Sequence, residues 1–521
     1  MTAHRSPNSS SNPSSSSSAH QSVLLTVTDA LCRVGRNKLL RVDQFALNPG
    51  EHWCVFGPNG AGKSLLSKLL TGRMRESAQY VSYASGFDVS RHVFLVSFEE
   101  QQRLWERDNR LDISEYSANA QDAGTTVAAL VMSARNPDKS DTSLCDELLA
   151  ELNLTALRDR GIRFLSSGQV RKALLARALY GVSSGQGGLI VLDDPLESID
   201  RQSREAISAC IGRYLGPDFV SVFLCRRNED IPDWASHMAL LNELQLLATG
   251  PIEGVSNLES FQAIRQRAPQ LPERLPVAKY RQAQSPTAVL LDLKDVSAAY
   301  SGKPVLSNIN WTISQGDHVL LEGPNGCGKS TLLSLIDGEN HMGYGQQVTL
   351  FGQQKGSGES VWEIKARFGV VSNELHNKYI KGWKVLDVVV SGFYDTVGLY
   401  DESGALEKEI AIDWLASLQL EAMRGQYYHE LSFGQQRLVL LARAMVKNPL
   451  VLILDEPCVG LDDYHRAMVL GVIELIAEQT ATQLIYVSHV IGEQLACINR
   501  RYSFVPCADG THTLQAITEA E

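Results

Sequence analysis

The chain of 521 residues has 44% hydrophobic side chains, which is enough for two to four domains that each bury a core. Its net charge of −11 argues against an extended nucleic-acid-binding surface, because such a surface is built from clustered Lys and Arg. No apolar stretch approaches the roughly 18 to 20 residues that cross a bilayer, so a membrane role requires a partner. The nine cysteines are scattered without metal-binding spacing, a pattern typical of reduced thiols in the cytoplasm.

The segment at residues 1–22 is rich in Ser, Asn and Pro and is predicted to form a disordered tail. It lacks the apolar core of a secretory signal. The absence of acidic residues is also typical of an organelle transit peptide, an alternative that is disfavoured because Arg5 is its only Arg. From Val23 to about Asn48, apolar and polar residues alternate, which predicts a short antiparallel sheet.

Two stretches match the pattern of a phosphate-binding loop, in which a glycine-rich turn directs backbone N–H groups at phosphates. Residues 57–64 follow an apolar strand and precede a helix, and residues 323–331 have the same surroundings. In each loop the Lys is expected to bind the β- and γ-phosphates and the Ser hydroxyl to ligate Mg²⁺. The predicted nucleotide contacts are Gly57, Asn59, Gly60, Gly62, Lys63 and Ser64 in the first loop and Gly323, Asn325, Gly326, Gly328, Lys329, Ser330 and Thr331 in the second.

The two loops belong to a duplicated unit. The interval from Gly57 to Leu165, where the sequence Leu-Ser-Ser-Gly-Gln begins, equals the interval from Gly323 to Leu431, where Leu-Ser-Phe-Gly-Gln begins. Such a repeat of whole motifs at a constant spacing indicates two homologous domains in one chain.

Each copy continues with a short apolar strand of the kind that is buried on both faces of a parallel sheet. The first strand leads to Asp193 and Asp194, and the second leads to Asp455 and Glu456. Carboxylates at this edge face the phosphate-binding loop across the crevice where α/β sheets bind ligands. The predicted metal ligands are Ser64, Asp193, Ser330 and Asp455.

These repeats divide the chain into a first domain at residues 23–253 and a second domain at residues 287–521. The intervening residues 254–286 contain several prolines and are predicted to be a linker. Both copies fit a parallel sheet flanked by helices.

The order of the motifs resembles that of the ATP-binding-cassette (ABC) ATPases, which carry a phosphate-binding loop, an LSxGQ signature, a strand ending in carboxylates, a Leu-Asp pair and a terminal Ser-His pair. The resemblance covers nearly the whole chain after the first 22 residues. It implies an α/β fold of two P-loop NTPase domains in tandem, each with a mainly parallel sheet core, a small antiparallel β subdomain and a helical subdomain. It also implies ATP as the ligand, Mg²⁺ as the cofactor and ATP hydrolysis as the activity.

The resemblance further implies roles for individual residues. Asp455 supports Mg²⁺, and Glu456 is the general base that orients the attacking water. His489 corresponds to the histidine that contacts the γ-phosphate. Asp462 lies in the loop that links the two sites, and Tyr300 corresponds to the aromatic residue that stacks on adenine.

In this family the LSxGQ signature completes the site of the opposite copy, because its helix N-terminus reaches the γ-phosphate bound there. The two copies are therefore expected to form an intramolecular head-to-tail dimer with two ATP sites. We call the site at residues 57–64 the first site and the site at residues 323–331 the second site. The second site receives Ser166, Ser167, Gly168 and Gln169, and the first site receives Ser432, Phe433, Gly434 and Gln435.

The first site departs from the family pattern at three places. Asp194 stands at the catalytic position where Glu is expected, and its shorter side chain would hold the attacking water less well. Arg227 stands where the His is expected when residues 222–228 are matched with residues 484–490, and Val34 stands where the adenine-stacking aromatic is expected. We therefore expect the first site to bind ATP and turn it over slowly, while the second site hydrolyses ATP.

A further departure affects both copies. The family carries a glutamine after the strand that follows the phosphate-loop helix, and neither copy has an obvious counterpart. Gln101, Glu99 and Asn373 are all candidates for this role.

Residues 388–400 and 124–126 resemble a subgroup of the family, the ModF-type molybdenum-transport or photorepair-associated tandem ATPases. This resemblance implies the cytoplasmic energising subunit of a transporter for molybdate or a related solute, bound to an integral-membrane permease at the cytoplasmic face of the membrane. A ribosome-acting tandem ATPase is the main alternative, disfavoured by the short, proline-interrupted linker. A DNA-repair ATPase is a third alternative. It is disfavoured because such proteins insert long coiled coils or zinc modules, and this sequence has neither heptads nor cysteine pairs.

Overall fold

The computed structural model describes residues 23–34, 38–110, 124–135, 141–183, 188–196, 201–280, 287–300, 303–338, 340–379, 382–399, 403–488, 493 and 495–517. The predicted disordered tail at residues 1–22 lies outside these described residues. Two repeats of one architecture follow each other along the chain, and each is a single hydrogen-bonded sheet with helices packed against it. This arrangement confirms the predicted fold class.

The first copy is built on a nine-stranded sheet. Its strands are β1 (Leu25–Val34), β2 (Lys38–Leu47), β3 (His52–Phe56), β4 (Val81–Tyr83), β5 (Val93–Val96), β6 (Gly188–Asp193), β7 (Phe219–Cys225), β8 (His237–Asn242) and β9 (Gln245–Pro251). They lie in the order β4-β1-β2-β9-β8-β3-β7-β6-β5. The strands from β8 to β5 are parallel. As predicted, β1 pairs antiparallel with β2, and it also pairs antiparallel with β4.

The central strands β3, β6 and β7 explain where the site lies. Their apolar side chains are almost all buried, because helices cover both faces of the parallel sheet. The phosphate-binding loop follows β3, and Asp193 ends β6, so both lie at the C-terminal edge of the sheet. This edge is where open α/β sheets bind ligands.

The helices of the first copy include a subdomain packed around one long, largely buried helix, α7. The helices are α1 (Lys63–Leu70), α2 (Ser77–Tyr80), α3 (Val89–His92), α4 (Phe98–Arg110), α5 (Val127–Met132), α6 (Thr142–Glu151), α7 (Ser167–Val182), α8 (Arg201–Tyr214), α9 (Ile252–Ser256) and α10 (Glu259–Arg265). Apolar residues of α5 and α6 join those of α7 in one core, which fixes the position of the signature at the start of α7.

The second copy repeats this plan with a ten-stranded sheet. Its strands are β10 (Val289–Tyr300), β11 (Lys303–Ser314), β12 (Val319–Glu322), β13 (Gln347–Leu350), β14 (Gln353–Gln354), β15 (Phe368–Val371), β16 (Val451–Asp455), β17 (Gln483–Val487), β18 (Arg500–Pro506) and β19 (His512–Ala516). The order is β14-β13-β10-β11-β19-β18-β12-β17-β16-β15, which matches the first sheet except for the added edge strand β14.

The second copy has seven helices in its described residues, three fewer than the first copy. They are α11 (Lys329–Ile336), α12 (Val361–Lys365), α13 (Asn373–Lys378), α14 (Val385–Val390), α15 (Ala405–Ser417), α16 (Phe433–Met445) and α17 (Asp463–Gln479). Across the described ranges of both copies, no helix has the length and hydropathy needed to span a bilayer.

Part of the predicted linker at residues 254–286 is packed on the first copy. Val255 of α9 and Phe261 of α10 are buried in the first helical core. The ring of Phe261 lies 5.1 Å from the ring of Phe56, which ends β3. These contacts make α9 and α10 structural elements of the first copy.

The chain crosses to the second copy after Arg265. The backbone N–H of Leu275 donates to Oε1 of Gln479 at 3.0 Å. Further along, Nζ of Lys279 lies 2.6 Å from the carboxylate of Glu409. The connecting segment is therefore held against the helices of the second copy.

Candidate functional site

The second phosphate-binding loop leads from β12 into α11. Gly328 caps the helix with φ of 104°, and a Cβ there would lie 2.5 Å from Cδ2 of Leu306, so only glycine fits. Lys329 is buried, and its Nζ donates to the backbone carbonyls of Gly323 at 2.9 Å and Pro324 at 3.1 Å. These two loop carbonyls thus point toward the lysine, as expected of a glycine-rich turn that directs backbone N–H groups at phosphates.

A pair of carboxylates faces this loop at the end of β16. The Ser330 hydroxyl donates to Oδ2 of Asp455 at 3.3 Å. Burial, followed by the charge of Glu456, raises the pKa of Asp455 to about 6. A bound cation would stabilise the charged carboxylate, and hydroxyl and carboxylate oxygens are ligands that Mg²⁺ accepts. Ser330 and Asp455 therefore fit a Mg²⁺ site.

The residue after the predicted metal-ligating aspartate is strained in both copies. Glu456 has φ of 50° and Asp194 has φ of 48°, a left-handed conformation that side chains other than glycine rarely adopt. In the second copy, the backbone N–H of Glu456 donates to the carbonyl of Val487 at 3.1 Å. The adjacent strand β17 therefore holds the Glu456 backbone in this conformation.

A cavity of about 660 Å³ lies between the two copies at the second site. One wall is the start of α7 from the first copy, and the other is the phosphate-binding loop and carboxylates of the second. This volume is in the range of pockets that hold cofactors and substrates. The sequence-predicted site residues that line it are Ser166, Ser167, Gly168, Asn325, Gly326, Gly328, Lys329, Ser330, Thr331, Asp455 and Glu456.

The start of α7 is a capped helix terminus that lines this cavity. The backbone N–H of Gln169 donates to Oγ of Ser166 at 3.3 Å, and the backbone N–H of Ser166 donates to Oε1 of Gln169 at 3.0 Å. This capping box orients the first turn, whose remaining N–H groups and positive end face the cavity.

The structure separates the three candidates for the missing glutamine. Asn373 lines the second cavity, and its Oδ1 accepts a hydrogen bond from Arg437. Phe98 is the equivalent residue in the first copy, since β5 and β15 end at the same level against β6 and β16. Glu99 pairs instead with a lysine of α1, and Gln101 contacts the first-copy signature.

Two other residues predicted to contact ATP, Tyr300 and His489, lie partly or wholly outside the described residues. Tyr300 ends β10 and Val34 ends β1, at the same point of each hairpin, but their side chains lie outside the described part of the chain. His489 also lies outside the described residues. The roles of Tyr300 and His489 remain predictions.

The first phosphate-binding loop has the same local geometry as the second. Nζ of Lys63 donates to the Gly57 carbonyl at 2.6 Å, and burial lowers the pKa of Lys63. Burial, followed by the charge of Asp194, raises the pKa of Asp193 to about 6, and a hydrogen bond from Ser64 opposes this rise. The first copy therefore keeps the lysine cradle and the hydroxyl–carboxylate pair.

The second copy lies against the first loop as well. A Cβ on Gly60 would lie 3.9 Å from Cβ of Ser432. The backbone N–H of Asn59 donates to Oδ2 of Asp462 at 2.6 Å, and Nδ2 of Asn59 donates to the carbonyl of Gly460 at 2.9 Å. The two copies thus face each other head to tail at both loops.

The second-copy signature differs from the first by one side chain. Ser432 and Gln435 repeat the capping box at the start of α16, and Gly434 lies between them in the first turn. Phe433 stands where the first signature has a serine, and its ring lies 4.8 Å from the ring of His376. The first site therefore receives no hydroxyl from this position.

Strand register corrects one sequence assignment. On the neighbouring strand, the residue directly opposite Asp193 is Leu224 in the first copy, and the residue directly opposite Asp455 is Val487 in the second. Two residues further on stand Arg226 and His489, respectively. The assignment of Arg227 to the histidine position is therefore wrong by one residue, because sequence matching does not detect which residues pair across the sheet.

Arg226 and Arg227 have different partners. Nη2 of Arg226 lies 2.9 Å from Oδ2 of Asp194, and its Nε lies 3.2 Å from Oδ1. Arg226 also donates to the carbonyl of Gly460 in the second copy. Arg227 instead forms a two-point ion pair with Asp230, at 2.8 and 2.9 Å. The carboxylate of Asp194 is thus neutralised by Arg226, which also contacts the opposite copy.

Comparison with known proteins agrees with this geometry. The family described as ABC transporter matches residues 40–197 and 306–459. The chain is 32% identical over 502 residues to the ABC transporter ATP-binding protein ModF of Escherichia coli (strain K12), covering 92% of this chain and 97% of that protein. It is 27% identical over 479 residues to the uncharacterized ABC transporter ATP-binding protein C323.04 of Schizosaccharomyces pombe, covering 89% of this chain and 94% of that protein.

Two solved structures have the same tandem fold. The archaeal ribosome recycling factor aABCE1, in complex with the ribosomal stalk protein aP1, has a TM-score of 0.55 at 16% identity, covering 93% of this chain and 89% of that chain. The RNase-L Inhibitor has a TM-score of 0.53, also at 16% identity. At this level of identity the similarity shows the fold alone.

The family match, the near full-length similarity to ModF and the paired motifs establish that the chain belongs to the ABC transporter family and is a tandem ATP-binding ATPase.

Proposed function

We propose that the chain hydrolyses ATP mainly at the second site, with Mg²⁺ held by Ser330 and Asp455, and that the first site binds ATP and turns it over slowly. The observation that carries this proposal is the unequal setting of the two catalytic-position carboxylates. Arg226 holds both carboxylate oxygens of Asp194 at the first site, whereas the second site has at this position Glu456, whose side chain is longer by one methylene and lines the second cavity.

At the second site, each group has a distinct chemical role. Lys329 neutralises the β- and γ-phosphates, and the start of α7 presents N–H groups and the Ser166 hydroxyl from the opposite side. Glu456 orients the attacking water and accepts its proton. Because negative charge spreads over the transferring phosphoryl oxygens in the transition state, these fixed donors stabilise it.

At the first site, the pairing of Asp194 with Arg226 opposes the same chemistry. A general base needs an oxygen within hydrogen-bond reach of the water that it activates. The guanidinium of Arg226 binds both carboxylate oxygens of Asp194. The shorter Asp side chain and this ion pair together support slow turnover at the first site.

Restoring the family residues is expected to restore hydrolysis at the first site. In a Glu456→Gln background, adding Asp194→Glu and Arg226→His should raise kcat by about 10-fold or more, because the new carboxylate can reach the water. Steady-state phosphate release measures this gain. The matched control combines Asp194→Glu with Arg227→His in the same Glu456→Gln background and is expected to give no gain. No increase in the restored variant, with ATP binding retained, would contradict the role given to Asp194 and Arg226.

We infer further that the chain energises a membrane transporter through an integral-membrane permease, for molybdate or a related solute, at the cytoplasmic face of the membrane. Support comes from the 32% identity with ModF over nearly the whole chain and from the family's description as ABC transporter. The solute is the part of this proposal that rests on the ModF resemblance alone.

Two equivalent grooves support a role for such a partner. In the first copy, a cavity of about 520 Å³ is lined by Arg73, Glu100 and Arg177. In the second copy, Asn373 and Arg443 line the 660 Å³ cavity, and Arg443 takes the position on α16 that Arg177 takes on α7. The first cavity lies between the sheet core and the helical subdomain, and the second extends from the ATP site to residues of β15 and α16, where helices of a permease would dock.

The partner can be tested by affinity purification from detergent-solubilised cells. The Glu456→Gln variant is expected to accumulate with ATP bound and to retain a stoichiometric integral-membrane protein, identified by mass spectrometry. The matched control is Lys329→Ala, which should lose ATP and with it the partner. Recovery of ribosomal proteins, or of no membrane protein, from the ATP-bound variant would overturn the transporter role and leave the ATPase assignment intact.

A further inference from the structure

The first turn of α4 contacts the first-copy signature through one buried side chain. Gln101 is 0% exposed, and its Nε2 donates to Oγ of Ser167 at 2.9 Å. Ser167 is itself exposed, and it lines the 660 Å³ cavity opposite the loop of Lys329. A buried amide therefore supports a hydroxyl that faces the second site.

Two ion pairs hold the start of α4 in place. Glu99 lies 2.7 Å from Nζ of Lys68 in α1, and Glu100 lies 2.9 Å from Nη1 of Arg73. These pairs anchor the turn that carries Gln101 to the phosphate-loop helix of the same copy. Gln101 therefore approaches Ser167 from a fixed position.

The other end of the Gln101 amide is also informative. Its Oε1 is buried and has no hydrogen-bond partner within the described part of the protein. Leaving a buried polar atom without a partner costs free energy that an apolar side chain would not cost. Within the described residues, the bond from Nε2 to Ser167 is therefore the one hydrogen bond that holds this buried amide.

The direction of that bond determines what the Ser167 hydroxyl can do. A serine hydroxyl has one hydrogen to donate and can also accept, whereas the amide nitrogen of glutamine only donates. Because Ser167 accepts from Gln101, its own hydrogen is left for an acceptor in the cavity. We propose that Gln101 is a positioning residue that orients the Ser167 hydroxyl as a donor to the γ-phosphate at the second site. This inference rests on the proposed function of that site.

The second copy lacks this device. His376 and Phe433 occupy the positions equivalent to Gln101 and Ser167, and their rings pack 4.8 Å apart. Nδ1 of His376 lies 2.8 Å from the hydroxyl of Tyr428. The amide–hydroxyl pair therefore occurs only on the signature that completes the second site, which is the site proposed to turn over faster.

The substitution Gln101→Glu reverses the hydrogen bond with almost no change of size. A carboxylate only accepts, so Ser167 would donate to it and be withdrawn from the γ-phosphate. We expect kcat to fall roughly 10-fold or more, the effect of losing one hydrogen bond to a charged group, while KM for ATP changes little. Steady-state phosphate release over a range of ATP concentrations gives both constants.

Lowering the pH should reverse this defect. Once protonated, the introduced carboxyl regains an O–H that can donate to Ser167. Burial raises the pKa of such a carboxyl, so its protonation falls within the pH range of the assay. The ratio of variant to wild-type kcat is therefore expected to rise from about pH 8 to about pH 6. A merely structural role of Gln101 predicts no such rise.

The matched control is Gln102→Glu, the same change at the adjacent exposed position, which is expected to leave kcat unchanged. Because Gln101 acts through Ser167, Gln101→Glu should cause no further loss in a Ser167→Ala background. A wild-type kcat for Gln101→Glu, or equal losses with and without the Ser167 hydroxyl, would overturn the proposal.

If the buried carboxylate prevents folding, Gln101→Leu provides the same test through its dependence on Ser167. It is expected to lower kcat in the wild-type background and to have no effect in the Ser167→Ala background. Equal losses in both backgrounds would again overturn the proposal. Failure of the underlying site assignment is distinguishable, because it would appear as undiminished hydrolysis by Glu456→Gln.

Discussion

Glu456→Gln is expected to lower kcat for ATP hydrolysis by at least about 100-fold, because glutamine has the size of glutamate but cannot accept a proton from the attacking water. ATP binding should persist, since Lys329 and the loop N–H groups are unchanged. Phosphate release measures the first effect, and equilibrium binding of radiolabelled ATP measures the second.

The matched control for this result is Asp194→Asn at the equivalent position of the first site. Its carboxylate is already bound at both oxygens by Arg226, so the loss of its charge is expected to change kcat little. Comparable losses from Glu456→Gln and Asp194→Asn would mean that both sites hydrolyse ATP equally. Undiminished hydrolysis by Glu456→Gln would contradict the assignment of the second site.

Ser166→Ala is expected to lower kcat about 10-fold or more, although Ser166 lies in the first copy and the affected chemistry lies in the second. Its hydroxyl lines the second cavity, so its removal takes a donor from the γ-phosphate. Ser432→Ala makes the same change in the other signature, which faces the first site, and should have little effect on kcat.

The pair of serine variants separates catalysis from helix stability. Both serines cap a signature helix through the same capping box. Each variant is therefore expected to lose about 1 kcal/mol of stability, and the two variants should lower Tm by similar amounts. A difference in kcat with an equal change in Tm would therefore report the site that each signature completes. Equal loss of kcat from both variants would contradict the unequal sites.

The sequence by itself determined the duplicated copies, the phosphate-binding loops and the carboxylates that face them. These features are encoded by neighbouring residues: an apolar strand such as β16 ends at Asp455, and a glycine such as Gly328 takes the left-handed conformation that opens the helix. The head-to-tail pairing of the copies followed from family resemblance, and the structure brings Ser166 and Lys329 to one cavity in agreement with it.

Only the tertiary structure decided which residues meet across elements. It identified Arg226 as the partner of Asp194, because a one-residue shift in strand register is invisible in the sequence of a single strand. It also brought Gln101 to Ser167, 66 residues away, through the packing of α4 against α7. Short-range sequence patterns specify local backbone geometry, whereas such contacts depend on how separate elements register and pack, and this is why these two contacts emerge only in the folded chain.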